Sequence, residues 1–352
     1  MTQPAAVRMV LPGSSPPWTS TGTEVCRGDR VTLLGSGRIN WSESHWGGAK
    51  YHLWGRVPGG EVFGCTQDTT TVVVDRSGPL ELCVYLGAWA DRSGTLVTGA
   101  CLDDRSSYGR ERGLLAVTLL HWPQGVDPVD GLAALEPGVA DPRLVAAERR
   151  RLLDPVVPPA GWSYLLAAGP GDIYRHAVAE GRPAIEVVCD DDAGVIEKDV
   201  DMALRSDTTI EWSWRVESLP GLVPENTAWT HDLLGIAAVF DTGFPTPGTP
   251  VSSLNWFWSS ALQPEDDTFD CPVPGWTEHE THLPVRRGPA GLGRWRRETR
   301  AVRVDHERFM GPAPTRIRSL RLVAVSHFDH GCGRATFRDI ILRSGGHRIQ
   351  VL

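Results

Sequence analysis

The sequence lacks the long apolar runs and the basic excess that would suggest a membrane or nucleic-acid role. No run approaches the roughly 20 apolar residues that cross a bilayer. The N-terminal stretch has no charged start followed by an apolar core and a cleavage site. We therefore expect a soluble, cytoplasmic protein with no membrane partner. The formal net charge of -8 at pH 7 argues against nucleic acid as a partner.

Paired cysteines and nucleotide motifs are also missing. Seven cysteines occur among 352 residues without a C-x-x-C pair, which predicts reduced and mostly buried thiols. A bridge between Cys83 and Cys101, on candidate neighbouring strands, stays open as an alternative. No Gly-rich loop opens a helix after a strand, and Gly-x-Ser-x-Gly is absent. We expect a protein that uses no diffusible cofactor.

Glycine and proline are abundant, with 38 Gly and 27 Pro. They separate short segments rich in β-branched and aromatic residues, a pattern typical of an all-β protein. We predict two β-sandwich, jelly-roll-like domains joined by a Pro-rich, partly helical linker. The predicted divisions are an N-terminal arm (1–20), a first sandwich (21–122), a linker with a short helix (123–160) and a larger sandwich (161–352).

The first predicted sandwich ends in Tyr108-Gly109-Arg110-Glu111-Arg112-Gly113, shortly after Asp104. With Gly28-Asp29 before a strand, this segment resembles the PA-I-type galactophilic lectin family of calcium-dependent β-sandwiches. The resemblance implies that Asp104 matches the acidic calcium ligand. Arg110 and Glu111 replace the two Asn ligands of that family, and a guanidinium repels a cation. We therefore expect the lectin fold without its calcium site.

A second set of motifs lies in the larger predicted sandwich. These motifs are Trp212-Ser213-Trp214-Arg215-Val216, Ala238-Val239-Phe240-Asp241, Leu254-Asn255-Trp256-Phe257-Trp258, Gly293-Arg294-Trp295 and Asp339-Ile340-Ile341-Leu342. As a set they resemble a bacterial family known only as a domain of unknown function. The resemblance implies a jelly-roll β-sandwich and brings no activity with it.

Strand alternation gives this sandwich two pairs of tryptophans. Trp212 and Trp214 share one face of their strand, with Arg215 on the other, and Trp256 and Trp258 form the second pair. The indoles either fill the core or line an apolar cleft. In the cleft hypothesis, the four tryptophans and Arg215 contact the substrate.

Polar residues near strand ends are the candidates for chemistry in that cleft. They are Asp241, Asn255, His327 and Asp329. A histidine held by an aspartate can act as a general base near neutral pH, while a solvated strand end is the simpler alternative. His279 and His282 are three residues apart in loop and strand, so they do not match the helical zinc motif. We predict no metal site.

Two functional hypotheses follow. The first is a cofactor-independent enzyme, of the cyclase, isomerase or lyase type, which folds a flexible and largely apolar metabolite in the Trp-rich cleft. The alternative is a non-catalytic, lectin-like carbohydrate-binding protein. Both predict a small-molecule ligand, and neither predicts an oligomeric state.

Overall fold

The structure is a computed structural model that describes residues 5–13, 18–40, 46–85, 89, 91–95, 113–227, 232–241, 252–271 and 279–352. The chain forms two compact units. Unit 1 comprises Met1–Pro155 and Leu166–Gly171, and unit 2 comprises Val156–Leu165 and Asp172–Leu352. Strands dominate both units, which confirms the all-β prediction. Within the described ranges, no helix is both long and apolar enough to cross a membrane.

Unit 1 contains two antiparallel sheets. Its strands are β1 (Ala5–Pro12), β2 (Thr19–Val25), β3 (Arg30–Asn40), β4 (Trp46–Gly47), β5 (Leu53–Arg56), β6 (Phe63–Gly64), β7 (Thr69–Val73), β8 (Gly78–Val84) and β9 (Gly113–Trp122). One sheet has the order β1-β9-β3-β4 with β7 also paired to β3, and the other has the order β2-β8-β5-β6. A short helix, α1 (Ala49–His52), lies between β4 and β5.

Residues 5–12, within the predicted arm, form β1, which pairs antiparallel with β9 along its whole length. Val7, Met9 and Leu11 alternate toward the apolar core of unit 1, and Leu11 is only 1% exposed. The alternation supplies the apolar face that a strand needs.

The segment predicted as a linker contains two helices, α2 (Pro128–Ala133) and α3 (Pro142–Leu153). Each begins with a proline after an aspartate that accepts a backbone N–H, the expected signal for a helix start. Leu132 packs with Leu34 and Trp122 in a hydrophobic cluster of unit 1. Residues 128–153 are therefore part of unit 1 rather than a free connection.

Unit 2 contains a seven-stranded and a six-stranded sheet. Its strands are β10 (Ser163–Tyr164), β11 (Tyr174–Ala179), β12 (Arg182–Asp190), β13 (Ala193–Ala203), β14 (Thr209–Ser218), β15 (Leu234–Phe240), β16 (Ser252–Ser259), β17 (Phe269–Asp270), β18 (His279–Arg287), β19 (Arg296–Ala301), β20 (Arg316–Val325), β21 (Cys332–Ser344) and β22 (His347–Gln350). The seven-stranded order is β10-β13-β20-β15-β16-β18-β17, with β16 and β18 parallel. The other order is β11-β12-β21-β14-β19, with β22 on β21 and helix α4 (Val302–Phe309) after β19.

The main core of unit 2 is formed by apolar side chains of both sheets. Strand β14 contributes Trp212 and Trp214 from the six-stranded sheet, and β16 contributes Trp256 and Trp258 from the seven-stranded sheet. A sandwich core of this kind buries one face of each sheet. The opposite face of the seven-stranded sheet is the one that positions the candidate site.

Candidate functional site

The four tryptophans predicted as either core or cleft are core residues. Trp212, Trp214, Trp256 and Trp258 are each at most 1% exposed. The ring centroids of Trp212 and Trp256 are 6.1 Å apart, and those of Trp214 and Trp258 are 5.5 Å apart. Indoles in direct contact leave no space for a substrate between them. The Trp-lined cleft is therefore replaced by a close-packed interior.

Arg215 lies on the other side of β14, as alternation predicts, in a surface cluster. Its Nε donates to Glu217, and its guanidinium lies 5.2 Å from the ring centroid of Trp295. The arginine-rich segment that follows forms β19, where Arg297 pairs with Glu211. These cations are already paired with side chains of unit 2, which is typical of a solvated strand.

The polar candidates do not form one site. Asp241 follows β15 at the end where Phe240 pairs with Ile317. His327 and Asp329 follow β20 at the other end of the same two strands, beyond the pairing of Ala324 with Leu234. Since a strand rises about 3.3 Å per residue, the length of β15 separates Asp241 from the other two.

Asn255 belongs to a different group, on the face of the seven-stranded sheet that points away from the tryptophans. Leu254 and Trp256 point into the core, so Ser253 and Asn255 point to the opposite face. The strand register places a row of side chains across this face: Glu197, Arg321, Ala237, Asn255, His282 and Phe269. We call the set Ser253, Asn255, Glu280, His282 and Arg321 the polar face.

Two side chains of the polar face are buried without satisfying their hydrogen-bonding capacity. Ser253 is 1% exposed and Asn255 is 0% exposed. Within the described ranges, Ser253 Oγ and Asn255 Oδ1 have no hydrogen-bond partner. A buried polar atom left unpaired costs about 1–3 kcal/mol. Gly235 makes room for the amide, because a Cβ there would clash with Asn255 Oδ1.

His282 stands beside Asn255 as a neutral imidazole. Its Nδ1 is 3.4 Å from Asn255 Nδ2, and its Nε2 is 3.7 Å from Glu280 Oε1. Complete burial lowers the pKa of His282 to about 3. Phe269 stacks on the imidazole with ring centroids 5.1 Å apart. A ligand atom of Cys271 lies within 4.8 Å of those of Glu280 and His282, so these three residues could hold a metal.

A second cluster lies at the turn after β20. His327 Nδ1 and His330 Nδ1 are 2.9 and 2.8 Å from the same oxygen, Asp191 Oδ1. His327 is mostly buried, whereas Asp191 and His330 are exposed. Their three ligand atoms lie within 4.8 Å of one another, and this set could also hold a metal. The predicted pairing of His327 with Asp329 is thus replaced by a pairing with Asp191.

Asp329 supports the turn instead of holding the imidazole. Its Oδ2 accepts the backbone N–H groups of Leu222 and Val223. Asp232 accepts the backbone N–H groups of Phe328 and Asp329, and burial raises its pKa to about 6. These bonds fix the backbone between the two histidines.

Other predictions fall outside the described residues. They concern Cys101, Asp104, Arg110, Glu111 and the side chain of His279. Neither the loss of the lectin calcium site nor the pair His279 and His282 is therefore tested. Within the described ranges, six cysteines occur as thiols, three of them buried, two intermediate in exposure and one exposed.

Sequence reasoning missed part of each group. Glu280 and His282 share a face because they are two residues apart on a strand, whereas we expected loop and strand. The same alternation links Ser253 to Asn255 and would have identified that pair. No sequence signal links Asp191 to His327, since the two residues are 136 positions apart.

Fold and site together define a protein of two β-rich units, the second of which has a buried polar face. The model of the family "Protein of unknown function (DUF3047)" matches residues 161–341, more than half of the chain. The protein belongs to this family. The sequence resemblance noted for the second sandwich is confirmed.

Solved structures give two further similarities. Unit 1 resembles the "EclA N-terminal domain; PllA-like lectin", with 15% identity, a TM-score of 0.25, and coverage of 33% of this chain and 95% of that chain. A xyloglucanase domain of NopAA from Sinorhizobium fredii, in complex with cellobiose, is similar at 9% identity and a TM-score of 0.29, covering 53% of this chain and 94% of that chain. No curated protein matches the chain.

Proposed function

We propose that unit 2 binds a small carbohydrate at the polar face. The observation that carries the proposal is Asn255, a fully buried amide whose Oδ1 is unpaired within the described ranges. Its neighbours offer a hydroxyl at Ser253, a carboxylate at Glu280 and an imidazole at His282. Sugar hydroxyls both donate and accept, so they complement this mixed set of donors and acceptors.

The remaining side chains of this region fit a neutral saccharide. Phe257 and Phe269 lie edge to face with ring centroids 6.1 Å apart, and Phe269, which is partly exposed, supplies apolar surface for the C–H groups of a sugar ring. Arg321 is paired with Glu197 at 3.1 Å. The guanidinium charge is therefore balanced, and the face has little attraction for an anionic ligand.

Carboxylate spacing favours binding over glycan cleavage. A glycosidase needs two carboxyl groups about 5 to 10 Å apart on either side of the scissile bond. Glu197 on β13 and Glu280 on β18 are four strand positions apart, which corresponds to about 19 Å. Glu211 is in the other sheet and is paired with Arg297 and Arg343.

A cofactor-independent reaction at the same face is the second candidate function. It is favoured by the neutral imidazole of His282, with the Glu280 carboxylate 3.7 Å from its Nε2 and Cys271 close by. A neutral imidazole can donate a hydrogen bond that polarises a substrate oxygen. This hypothesis retains the absence of a cofactor from the sequence analysis but moves the chemistry away from the tryptophans.

The test is calorimetric titration of the purified full-length protein with neutral mono- and disaccharides, including cellobiose and methyl β-galactoside. We expect one of them to bind, and we expect Asn255→Leu to weaken that binding by about tenfold, because it removes the amide while keeping the same number and branching of side-chain heavy atoms. Thr281→Val is the matched control. Thr281 lies between Glu280 and His282 on β18 but points to the opposite face, where it donates to Asp270.

Two results would overturn the proposal. One is that no saccharide binds to the wild-type protein. The other is that Asn255→Leu binds as tightly as wild type while Asp104→Ala or calcium removal abolishes binding, which would locate the carbohydrate site in unit 1. Release of a modified product from a bound saccharide, lost in His282→Gln, would favour the catalytic candidate.

A further inference from the structure

We propose that Asp191, His327 and His330 form a binding site for a divalent transition-metal ion. The inference does not rest on the proposed carbohydrate function, because these residues are distinct from the polar face. They come from the turn between β12 and β13 and from the turn after β20.

The spacing of the ligand atoms carries the inference. Both imidazole Nδ1 atoms are within 2.9 Å of Asp191 Oδ1, and each of the three residues has a ligand atom within 4.8 Å of those of the other two. With metal–ligand distances of about 2.0–2.2 Å, adjacent ligands of one ion are separated by about 3 Å. Each imidazole Nδ1 therefore already has the separation from the carboxylate oxygen that two ligands of one ion require.

The type of ligand selects the class of ion. Calcium and magnesium prefer shells made of oxygen atoms, whereas imidazole suits zinc, copper, iron and nickel. The His330 and Asp191 side chains are 48% and 47% exposed, while that of His327 is 7% exposed. An ion held here has buried protein on one side and solvent on the other, which leaves coordination positions for water or a ligand.

The two turns are tied together before any ion binds. Asp191 N donates to Gly331 O, and Ser326 N donates to Asp192 O. These backbone hydrogen bonds hold the turn that carries Asp191 against the turn that carries both histidines. Asp232 holds the intervening backbone through Phe328 and Asp329. Asp191 and His330 also have positive φ values of 46° and 51°, which non-glycine residues rarely adopt. Such a preorganised frame is what a metal site requires of its surroundings.

Binding of the ion is a ligand exchange that needs no co-reactant. At present each Nδ1–H donates to the shared carboxylate oxygen. When the ion binds, each neutral imidazole carries its proton on Nε2 and presents the Nδ1 lone pair to the metal. The carboxylate contributes one negative charge to the shell.

The test uses tag-free full-length protein stripped of metal by a chelator and titrated calorimetrically with ZnCl2. We expect one zinc ion per chain, with no comparable heat from MgCl2. His327→Gln, His330→Gln and Asp191→Asn should each weaken zinc binding by at least tenfold, as expected when one of three ligands is lost. His347→Gln, an exposed histidine on β22, is the matched control and should bind zinc like wild type.

Nitrogen NMR of the imidazoles separates coordination from a general effect on folding, since zinc should shift Nδ1 rather than Nε2 of His327 and His330. Thermal unfolding of each variant without metal shows whether the turn is still folded. The proposal is overturned if wild type binds no zinc. It is also overturned if Cys271→Ser or His282→Gln abolishes zinc binding while the three variants retain it, because the ion then belongs to the polar face.

Discussion

The two faces of the seven-stranded sheet of unit 2 differ in kind although they are similarly buried. On β16, Trp256 and Trp258 pack in the apolar core, and their indole N–H groups donate to Asp305 and to the Gly288 carbonyl. On the same strand, Ser253 and Asn255 face the other way with polar atoms unpaired within the described ranges. On β16, packing and hydrogen bonds account for the apolar face, whereas the unpaired atoms of the polar face oppose folding.

That difference separates stability from function. A buried apolar face lowers the free energy of the fold through area removed from water, about 25 cal/mol per Å². Buried polar atoms left unpaired oppose folding, and a binding or catalytic role is one explanation for their presence. Substitutions in the apolar core should therefore lower stability, whereas substitutions on the polar face should lower ligand affinity with little change in stability.

The largest effect is expected in the apolar core between the two sheets, to which Trp212 contributes from the six-stranded sheet. Trp212→Ala should lower the free energy of unfolding of unit 2 by about 3–5 kcal/mol, because a fully buried indole leaves a cavity. Denaturant unfolding followed by tryptophan fluorescence measures the loss. Trp212→Phe should cost much less, since it keeps most of the packing and removes a buried Nε1 that has no partner within the described ranges.

The contrast between the apolar core and the polar face fails if Ser253→Ala is as destabilising as Trp212→Ala. Ser253 is similarly buried, at 1% exposed, but its Oγ is unpaired. We expect its replacement to change stability by no more than about 0.5 kcal/mol.

An intermediate effect should appear in the pH dependence of stability. Burial depresses the pKa of His282 to about 3 in the folded state, below its ordinary value of 6.5. Below pH 6.5 the unfolded chain therefore gains a proton that the folded chain does not, and stability falls as the pH falls toward 3. Between pH 7 and pH 5 this group should remove about 2 kcal/mol from the free energy of unfolding.

Comparison of unfolding curves at both pH values isolates this contribution. Between pH 7 and pH 5, the free energy of unfolding should fall less in His282→Gln than in wild type. In His347→Gln, where the replaced histidine is exposed on β22, it should fall as much as in wild type. Equal decreases in wild type and His282→Gln would mean that the imidazole is not held neutral.

The architecture was predictable because its signals are local. Turn residues between β-branched segments identified the strands, and Asp141 before Pro142 is a helix-start signal of the same local kind. The tryptophan pairs were also placed correctly on their strands, yet alternation gives the face of a residue and not what covers that face. To decide whether the indoles line a cleft or fill a core, one must know what the second sheet places opposite them. The structure places the indoles of the two strands opposite each other, with ring centroids 5.5–6.1 Å apart.

The candidate sites were less predictable because they depend on contacts between distant segments. Asn255 and His327 were recognised individually, but their partners were not. His282 approaches Asn255 through a parallel pairing of β16 with β18, and Asp191 approaches His327 through a turn far away in the chain. Such neighbours follow from strand order, which a single sequence does not specify.

A small change in stability, and the sharpest comparison of the faces, is expected for Asn255→Leu. Leucine has the same number and branching of side-chain heavy atoms and no polar atoms, so it removes the unpaired Oδ1 from a fully buried position. Its free energy of unfolding should stay within about 1 kcal/mol of wild type or exceed it, while carbohydrate affinity falls by about tenfold.

Thr281→Val, which loses a hydrogen bond to Asp270 on the opposite face, should instead lose about 1 kcal/mol of stability and keep its affinity. Thermal and denaturant unfolding combined with saccharide titration measure both properties on the same preparations. A loss of more than about 3 kcal/mol in Asn255→Leu would make the amide a structural group and would remove the main support for a binding site on the polar face.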